Sequence, residues 1–337
     1  MTIVKVGMIS FAHMHAAGYL RALLQRGDVE VVGIADENRE RVRPLTEQYG
    51  IPYYAEANEL LRQSLNAVVI CSENSRHAEL TVLAANAGKH VLCEKPLGVS
   101  EEEMLDMIRV CREQGVQLMT AFPCRFIPAV IEAKQEIEAG AIGDIVAIKG
   151  TNRGTMPRGW FIDRSFSGGG AVLDHTVHVM DLMLWFTGSE AAEVYAHAET
   201  LFHEVDIDDA GIVHVRFENG IFATLDPSWS RPESFPTWGD VTLEIIGTKG
   251  VATIDAFAQK NEIYSDLHGK GQWAYWGDNM DTGLIDGFIA ALKEGREVPI
   301  TGTDGYRSAR IALAAYESAR TGAPVVIGPA SMKERSF

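Results

Sequence analysis

The segment from residue 167 to residue 188 carries side chains suited to acid–base chemistry. Asp174, His178 and Asp181 are spaced at i, i+4 and i+7, which places them on one face of a predicted helix. A carboxylate one turn away from an imidazole can orient that ring as a general base. A capping carboxylate with a buried structural histidine is the alternative interpretation. A metal site that includes His175 is disfavoured, because His175 lies about 100° around the helix from Asp174.

A second stretch, HVLCEKPLG at residues 90–98, is expected to bring a lysine to the end of a strand. The strand would deliver Glu94 and Lys95 to its carboxyl end, where open α/β sheets bind their ligands. Pro96 would fix the direction of the chain there. A lysine held at this edge loses solvation and can hydrogen-bond a substrate hydroxyl group. The alternative is a solvated lysine at a strand end.

The stretch VKVGMISFAHMHAAGYLRAL at residues 4–23 passes from a predicted buried strand into a predicted helix. This is the pattern of the first turn of a dinucleotide-binding fold, but Ser10, Ala12 and His15 occupy the positions of its three glycines. The helix N-terminus, whose free amides bind pyrophosphate, survives these replacements. An imidazolium at His13 or His15 would also favour a diphosphate. A plain strand–helix junction is the alternative interpretation.

The end of the second predicted strand carries the residue that bears on cofactor choice. Asp36 lies where a carboxylate can bond the 2′-hydroxyl group of a ribose, and its charge would repel a 2′-phosphate. This predicts NAD as the cofactor, with NADP less favoured, although Arg39 can soften that preference. A cap at a strand–helix boundary is the alternative role for Asp36.

The order of elements predicts how these residues are positioned. Between residue 3 and about residue 121, short apolar runs alternate with amphipathic segments. This pattern predicts an α/β Rossmann domain with a parallel sheet over residues 1–122. Residues 123–337 predict an α+β domain with an open, mostly antiparallel sheet, in which ENG at 218–220 and TKG at 248–250 form hairpin turns. We expect the last helices to pack back on the first domain.

The composition narrows the class of protein. The chain has 337 residues, of which 46% are hydrophobic and 23% are charged, as in ordinary globular proteins. Its net charge of −16 argues against nucleic acid as a partner. The four cysteines have no C-x-x-C spacing, so we predict no zinc site and no disulfide framework. No membrane segment or leader peptide is evident, and we expect a cytoplasmic protein. The open sheet predicts a homodimer or homotetramer.

Five segments together resemble one known family, the glucose–fructose oxidoreductase/inositol dehydrogenase/MocA-like oxidoreductases, over nearly the whole chain. The segments are CEKPLG at 93–98, GGGAVLDHTVHVMD at 168–181, ICSENSRH at 70–77, AFPCRFIPAV at 121–130 and AAYESARTGAPV at 314–325. The resemblance implies an NAD(P)-dependent dehydrogenase that oxidises a secondary hydroxyl group of a sugar, a polyol or a related small molecule. Besides the glycines of the first turn, two further family positions differ, where this chain has Glu73 for a proline and Thr176 for a glycine.

The resemblance also implies roles for individual residues. Lys95, Asp174 and His178 would form the catalytic group, and no metal is expected. The candidate cofactor-binding residues are Ser10, Phe11, Ala12, His13, Met14, Asp36, Ser72, Asn74, His77, Glu94 and Lys95. The candidate substrate-binding residues are Arg125, Trp160, Asp174 and His178.

Two other functions fit the same residues. Some relatives retain NAD throughout the cycle and use transient oxidation for elimination or glycoside cleavage, and a non-catalytic nucleotide-binding regulatory protein is the third hypothesis.

Residues in the loops offer further candidates for substrate contacts. Trp160, Trp229 and Trp238 can stack on a sugar or anchor the core. The arginines of one loop can bind a carboxylate or a phosphate, or lie in solvent; they are Arg153, Arg158 and Arg164.

Overall fold

The computed structural model describes residues 3–267 and 269–328. The chain divides into two compact units, and each contains three separate segments of the sequence. The first unit comprises residues 1–131, 157–170 and 276–309, and the second unit comprises residues 132–156, 171–275 and 310–337. No helix in the described part of the chain is both long enough and apolar enough to cross a membrane.

The elements are numbered here in chain order. The strands are β1 Val4–Ile9, β2 Val29–Ala35, β3 Tyr53–Tyr54, β4 Ala67–Ile70, β5 His90–Cys93, β6 Leu118–Thr120, β7 Ile145–Thr151, β8 Ala191–Glu199, β9 Ala210–Phe217, β10 Phe222–Asp226, β11 Thr242–Gly247, β12 Val251–Asp255, β13 Lys260–Ser265, β14 Lys270–Tyr275 and β15 Val325–Val326. The α-helices are α1 Ala16–Leu24, α2 Arg39–Tyr49, α3 Ala57–Leu61, α4 His77–Asn86, α5 Glu101–Glu113, α6 Pro128–Glu138, α7 Arg164–Ser167, α8 Ala171–Thr187, α9 Met280–Glu294 and α10 Gly302–Thr321.

The first unit is built on a six-stranded parallel sheet, which confirms the predicted Rossmann architecture. Its strand order is β3-β2-β1-β4-β5-β6, and every neighbouring pair runs parallel. All four residues of β4 are buried, as expected for a central strand covered on both faces. Side chains also mark where helices begin: Asn38 caps α2, and Ser100 caps α5 by accepting a bond from the Glu103 amide.

The second unit contains a seven-stranded sheet in the order β12-β11-β7-β10-β9-β8-β15. The sheet is mostly antiparallel, as predicted, and the two expected hairpins join β9 to β10 and β11 to β12. The pair β7 and β10 is parallel, so their carboxyl ends lie side by side. Helix α8 lies against this sheet, and at Gly150 a Cβ atom would come within 2.7 Å of the Met183 methyl group.

A further two-stranded sheet, β13 paired with β14, has no counterpart in the sequence-based prediction. Its strands contain exposed and half-buried residues but no buried ones, so they lack the apolar alternation that identifies a half-buried strand.

Candidate active site

The turn after β1 keeps the backbone of a dinucleotide-binding turn without its first glycine. Ser10 has φ +66°, the left-handed region that glycine adopts most readily. Its amide donates to the Ala35 carbonyl at 2.7 Å, and its hydroxyl accepts a bond from the Ala12 amide at 3.2 Å. Within residues 3–267 and 269–328, no other non-glycine residue has a positive φ. Ser10 therefore occupies the position of the first glycine in a backbone conformation that glycine favours.

Asp36 holds this turn to the end of β2. Its carboxylate accepts bonds from the Phe11 amide at 2.7 Å and the Asn38 amide at 2.8 Å. Asp36 forms an ion pair with Arg41, whose Nη1 lies 3.4 Å from the carboxylate. The Arg39 guanidinium group lies over the Tyr53 ring instead. Asp36 thus lies at the predicted place with both carboxylate oxygens bonded to backbone amides, and Arg41 rather than Arg39 compensates its charge.

Two histidines and a buried glutamate form a cluster beside the same turn. The Glu94 carboxylate lies 3.0 Å from Nδ1 of His15 and 3.6 Å from Nδ1 of His13. Burial by itself raises the pKa of Glu94, but the two imidazoles hold that pKa well below its ordinary range. Helix α1 begins at Ala16, directly after His15. Met14, between the two histidines, is exposed.

The donor atoms of His13, His15 and Glu94 lie within 4.8 Å of one another, which is close enough to share a divalent cation. The hydrogen bond between His15 and Glu94 accounts for the same closeness. Asp281 on α9 also approaches this cluster, since its charge interacts with His15 and Glu94, and a Cβ atom at Gly18 on α1 would clash with its carboxylate. Burial raises the pKa of Asp281, Glu94 raises it further, and His15 opposes the shift. Sequence reasoning missed Asp281, because no local pattern links it to residues so distant along the chain.

The loops after β4 and β5 are joined through His77. The buried imidazole bonds the Pro96 carbonyl through Nδ1 at 2.8 Å, and its Nε2 lies 3.3 Å from the Ser72 carbonyl. Burial lowers the pKa of His77. Lys95 is only 4% exposed, which excludes the solvated-lysine interpretation. Asn74, also buried, donates from Nδ2 to the Ser167 carbonyl at 2.9 Å.

Two candidate substrate-binding residues, Trp160 and Arg125, are bonded to other residues of the first unit. Nε1 of Trp160 donates to the Ala12 carbonyl at 3.1 Å, so the indole packs against the first turn. Arg125 bonds Asp304 at 3.3 Å. A role for Trp160 or Arg125 in substrate binding stays a prediction.

In the second unit, helix α8 carries Asp174 and His178, both buried. Outside the helix, Asp208 accepts a bond from the Val172 amide at 2.8 Å. The Tyr316 hydroxyl donates to Asp208 and accepts from the Leu173 amide. Two amides of the first turn of α8 are thus bonded by residues outside the helix. The interpretation of Asp174 as a helix cap stays an alternative.

The side chain of His175 lies closer to that of Asp174 than the helical spacing suggested. Nε2 of His175 lies 3.5 Å from the Asp174 carboxylate. The His175 carbonyl accepts a bond from Asn152, and a Cβ atom at Gly154 would lie 2.6 Å from Cε1 of the imidazole. The Asp174–His175 turn therefore lies beside the chain that follows β7.

The segment after β7 and the segment after β10 each contain an arginine that pairs with the same carboxylate. Arg153 and Arg231 both pair with Asp240, the former at 3.2 Å. Although burial by itself raises the pKa of Asp240, its hydrogen bonds with Arg231 and with Thr151 and the charge of Arg153 hold that pKa below its usual value. Of the three arginines singled out in the sequence, only Arg153 belongs to the second unit; the other two, Arg158 and Arg164, belong to the first.

The tryptophans of the second unit differ in what they can contact. Trp229 is fully buried and acts as a core anchor, which excludes sugar stacking. Trp238 is 41% exposed, and its ring lies 6.2 Å from that of His175. Trp238 therefore keeps a surface for a ligand.

Comparison with known proteins identifies both parts of the chain. Residues 3–122 match the model of an oxidoreductase family with an NAD-binding Rossmann fold, and residues 130–253 match the GFO/IDH/MocA C-terminal domain. The chain is 30% identical over 312 residues to YrbE, an uncharacterised oxidoreductase of Bacillus subtilis (strain 168), covering 89% of each chain. It is 29% identical to myo-inositol 2-dehydrogenase of Thermotoga maritima, covering 86% of this chain and 89% of that protein.

A solved structure supports the same relationship. Levoglucosan dehydrogenase in complex with NADH and levoglucosan matches with a TM-score of 0.84 and 27% identity, covering 97% of this chain and all of that one. The predicted cofactor, NAD, is confirmed at the level of the family.

Proposed function

From the premise that the chain belongs to the GFO/IDH/MocA oxidoreductase family, we propose that it is an NAD-dependent dehydrogenase that oxidises a secondary hydroxyl group of a sugar or polyol. The observation that carries the proposal is the burial of Lys95, Asp174 and His178 in a chain with such relatives. Burial of ionisable side chains is costly, and it is concentrated at functional sites. The relatives named for myo-inositol and levoglucosan support a polyhydroxylated substrate.

The roles of the three residues follow from their chemistry. His178 accepts the proton of the substrate hydroxyl group, and Asp174 orients the imidazole and the substrate. Lys95 hydrogen-bonds the same oxygen and polarises it as carbonyl character develops. NAD, when bound, supplies the acceptor for the hydride, because no side chain can accept one.

The left-handed conformation of Ser10, which glycine adopts most readily, supports a dinucleotide site at the first turn. We propose that the contacts to NAD come from the candidate residues of the first unit, which are Ser10, Phe11, Ala12, His13, Met14, Asp36, Ser72, Asn74, His77, Glu94 and Lys95. The position of Asp36 at the end of β2 favours NAD over NADP, and Arg41 reduces that preference by compensating part of the charge.

The test is NADH formation at 340 nm from NAD with a panel of inositols and sugars. The variants Lys95→Ala and His178→Ala should each lose about 10²- to 10⁴-fold in kcat. The matched controls are Lys149→Ala and His197→Ala, whose side chains are exposed, and these should keep the wild-type rate. Near-native turnover in both Lys95→Ala and His178→Ala would refute the assigned roles.

We also propose a homodimer or homotetramer that covers the open face of the seven-stranded sheet. Phe222 on β10 and Val251 on β12 are more than half exposed, and the pairing of β7 with both β10 and β11 places them in one row across this face. Burial of that row by a second copy would remove apolar surface from water.

The four cysteines are free and buried, which supports a reducing compartment, the cytoplasm.

A further inference from the structure

The parallel pairing of β7 and β10 brings two arginines to the same edge of the sheet in the second unit. Arg153 follows β7, Arg231 follows β10, and backbone bonds hold the two connecting segments together. The Arg231 amide donates to the Gly154 carbonyl at 2.9 Å, and the Gly154 amide donates to the Ser228 carbonyl at 3.0 Å. Both guanidinium groups are thus carried on backbone that is fixed by the sheet.

Two carboxylates lie at the same edge as the guanidinium groups. Asp240 is the one carboxylate that pairs with either guanidinium group in the described part of the chain. Asp226, at the end of β10, is occupied by the amide and hydroxyl of Ser228. The Nε atoms of both arginines are buried and have no hydrogen-bond partner among the described residues. The edge therefore carries two guanidinium groups and two carboxylates, of which only Asp240 pairs with the arginines, and the arginines keep unused donors.

An apolar surface adjoins the cationic one. The Arg231 guanidinium group lies 4.2 Å from the centre of the Phe235 ring. Trp238, which precedes the Gly239–Asp240 segment, is 41% exposed and lies beside His175. A sugar ring could place its apolar face on this indole while an anionic substituent reaches the guanidinium groups.

We propose that Arg153 and Arg231 bind a carboxylate group on the substrate, so that the preferred substrate is a sugar acid rather than a neutral sugar. The identification of this ligand as the substrate rests on the proposed function. A guanidinium group matches the planar geometry of a carboxylate, with two parallel donors. A carboxylate brings one negative charge, whereas a phosphate dianion would bring two to an edge that already holds Asp240 and Asp226. The contact of His175 with both Asp174 and the Gly154 segment joins this subsite to a candidate catalytic carboxylate.

The binding test uses isothermal titration of the NADH-loaded protein with matched pairs: D-glucuronate against D-glucose, and D-galacturonate against D-galactose. D-Glucose 6-phosphate is the phosphate probe. The wild type should bind at least one uronate more tightly than its neutral partner. Arg231→Gln and Arg153→Gln should each weaken uronate binding by about 10- to 100-fold, as loss of a charge-assisted hydrogen bond requires. Neutral sugars should change less than about twofold.

Two further variants separate lost recognition from lost structure. Asp240→Asn removes the competing carboxylate and should tighten uronate binding, which is the opposite of the arginine effects. Arg231→Lys keeps the charge but not the two-donor geometry, so it should recover part of the affinity lost in Arg231→Gln. Arg216→Gln is the matched control, because Arg216 is an exposed arginine of β9 and should not affect binding.

Several results would overturn the subsite. They are absence of uronate binding in the wild type, equal binding of uronates and neutral sugars, tighter binding of the phosphate probe, or equal weakening of acid and neutral ligands by Arg231→Gln. Measurement of NADH formation distinguishes failure of the subsite from failure of the proposed function. Arginine-dependent uronate binding without NADH formation from any sugar would support the subsite and refute the dehydrogenase. NADH formation from neutral sugars alone would support the dehydrogenase and refute the subsite.

Discussion

Ser10 offers a direct test of the unusual first turn. Its φ of +66° is strained for a residue with a Cβ atom, and its hydroxyl accepts the Ala12 amide. Ser10→Ala removes the hydrogen bond and keeps the strain. Ser10→Gly removes the same hydrogen bond and relieves the strain. The difference between the two variants therefore isolates the backbone conformation.

The magnitude follows from opposing contributions to the free energy of unfolding. A left-handed backbone costs a residue with a Cβ atom about 1–2 kcal/mol. Glycine avoids this cost, but the greater conformational freedom of its unfolded chain lowers the stability of the glycine variant by about 0.5–1 kcal/mol. The hydrogen bond is lost in both variants and cancels in the comparison. Ser10→Gly should therefore be more stable than Ser10→Ala by about 0.8 kcal/mol, the middle of a range that extends to about 1.5 kcal/mol.

The assay is urea unfolding followed by circular dichroism, with Ser318 as the matched control position. Ser318 is buried within α10 and accepts the Ala196 amide through its hydroxyl, but its backbone is helical. There the order should reverse, with the glycine variant less stable than the alanine variant by about 1 kcal/mol. If Ser10→Ala is as stable as Ser10→Gly, the left-handed conformation and the reasoning built on it are wrong.

Two further predictions concern the buried glutamate and the open sheet. The pKa of Glu94 is below its unfolded value, because His13 and His15 outweigh burial, so its stabilisation is present above about pH 4.3 and is lost as the pH falls below that value. Glu94→Gln should therefore flatten the fall of Tm in acid, and a Tm–pH curve parallel to the wild type would contradict this. Phe222→Glu should dissociate the oligomer in light scattering, whereas Phe202→Glu, at an equally exposed phenylalanine outside the sheet, should not. Assembly that survives Phe222→Glu would rule out this face.

The sequence was informative wherever the signal was local. Buried runs such as Ala67–Ile70 predicted strands covered on both faces, and ENG and TKG predicted hairpins that the sheet contains. Helix α8 followed from its continuous apolar pattern. The β13–β14 hairpin escaped prediction because its exposed strands carry no such pattern. Likewise, sequence proximity suggested Arg39 beside Asp36, but the turn of α2 presents Arg41 instead.

The amino-acid sequence by itself determined the type of most elements, the family resemblance and the positions of Lys95, Asp174 and His178, because periodicity and motif spacing are properties of neighbouring residues. Only the tertiary structure decided which distant groups meet. Asp281 reaches the first turn because α9 lies against α1, and Arg231 joins Arg153 because β10 pairs in parallel with β7. Such contacts depend on strand order and helix packing, which arise when long-range burial of apolar surface selects one arrangement of the chain.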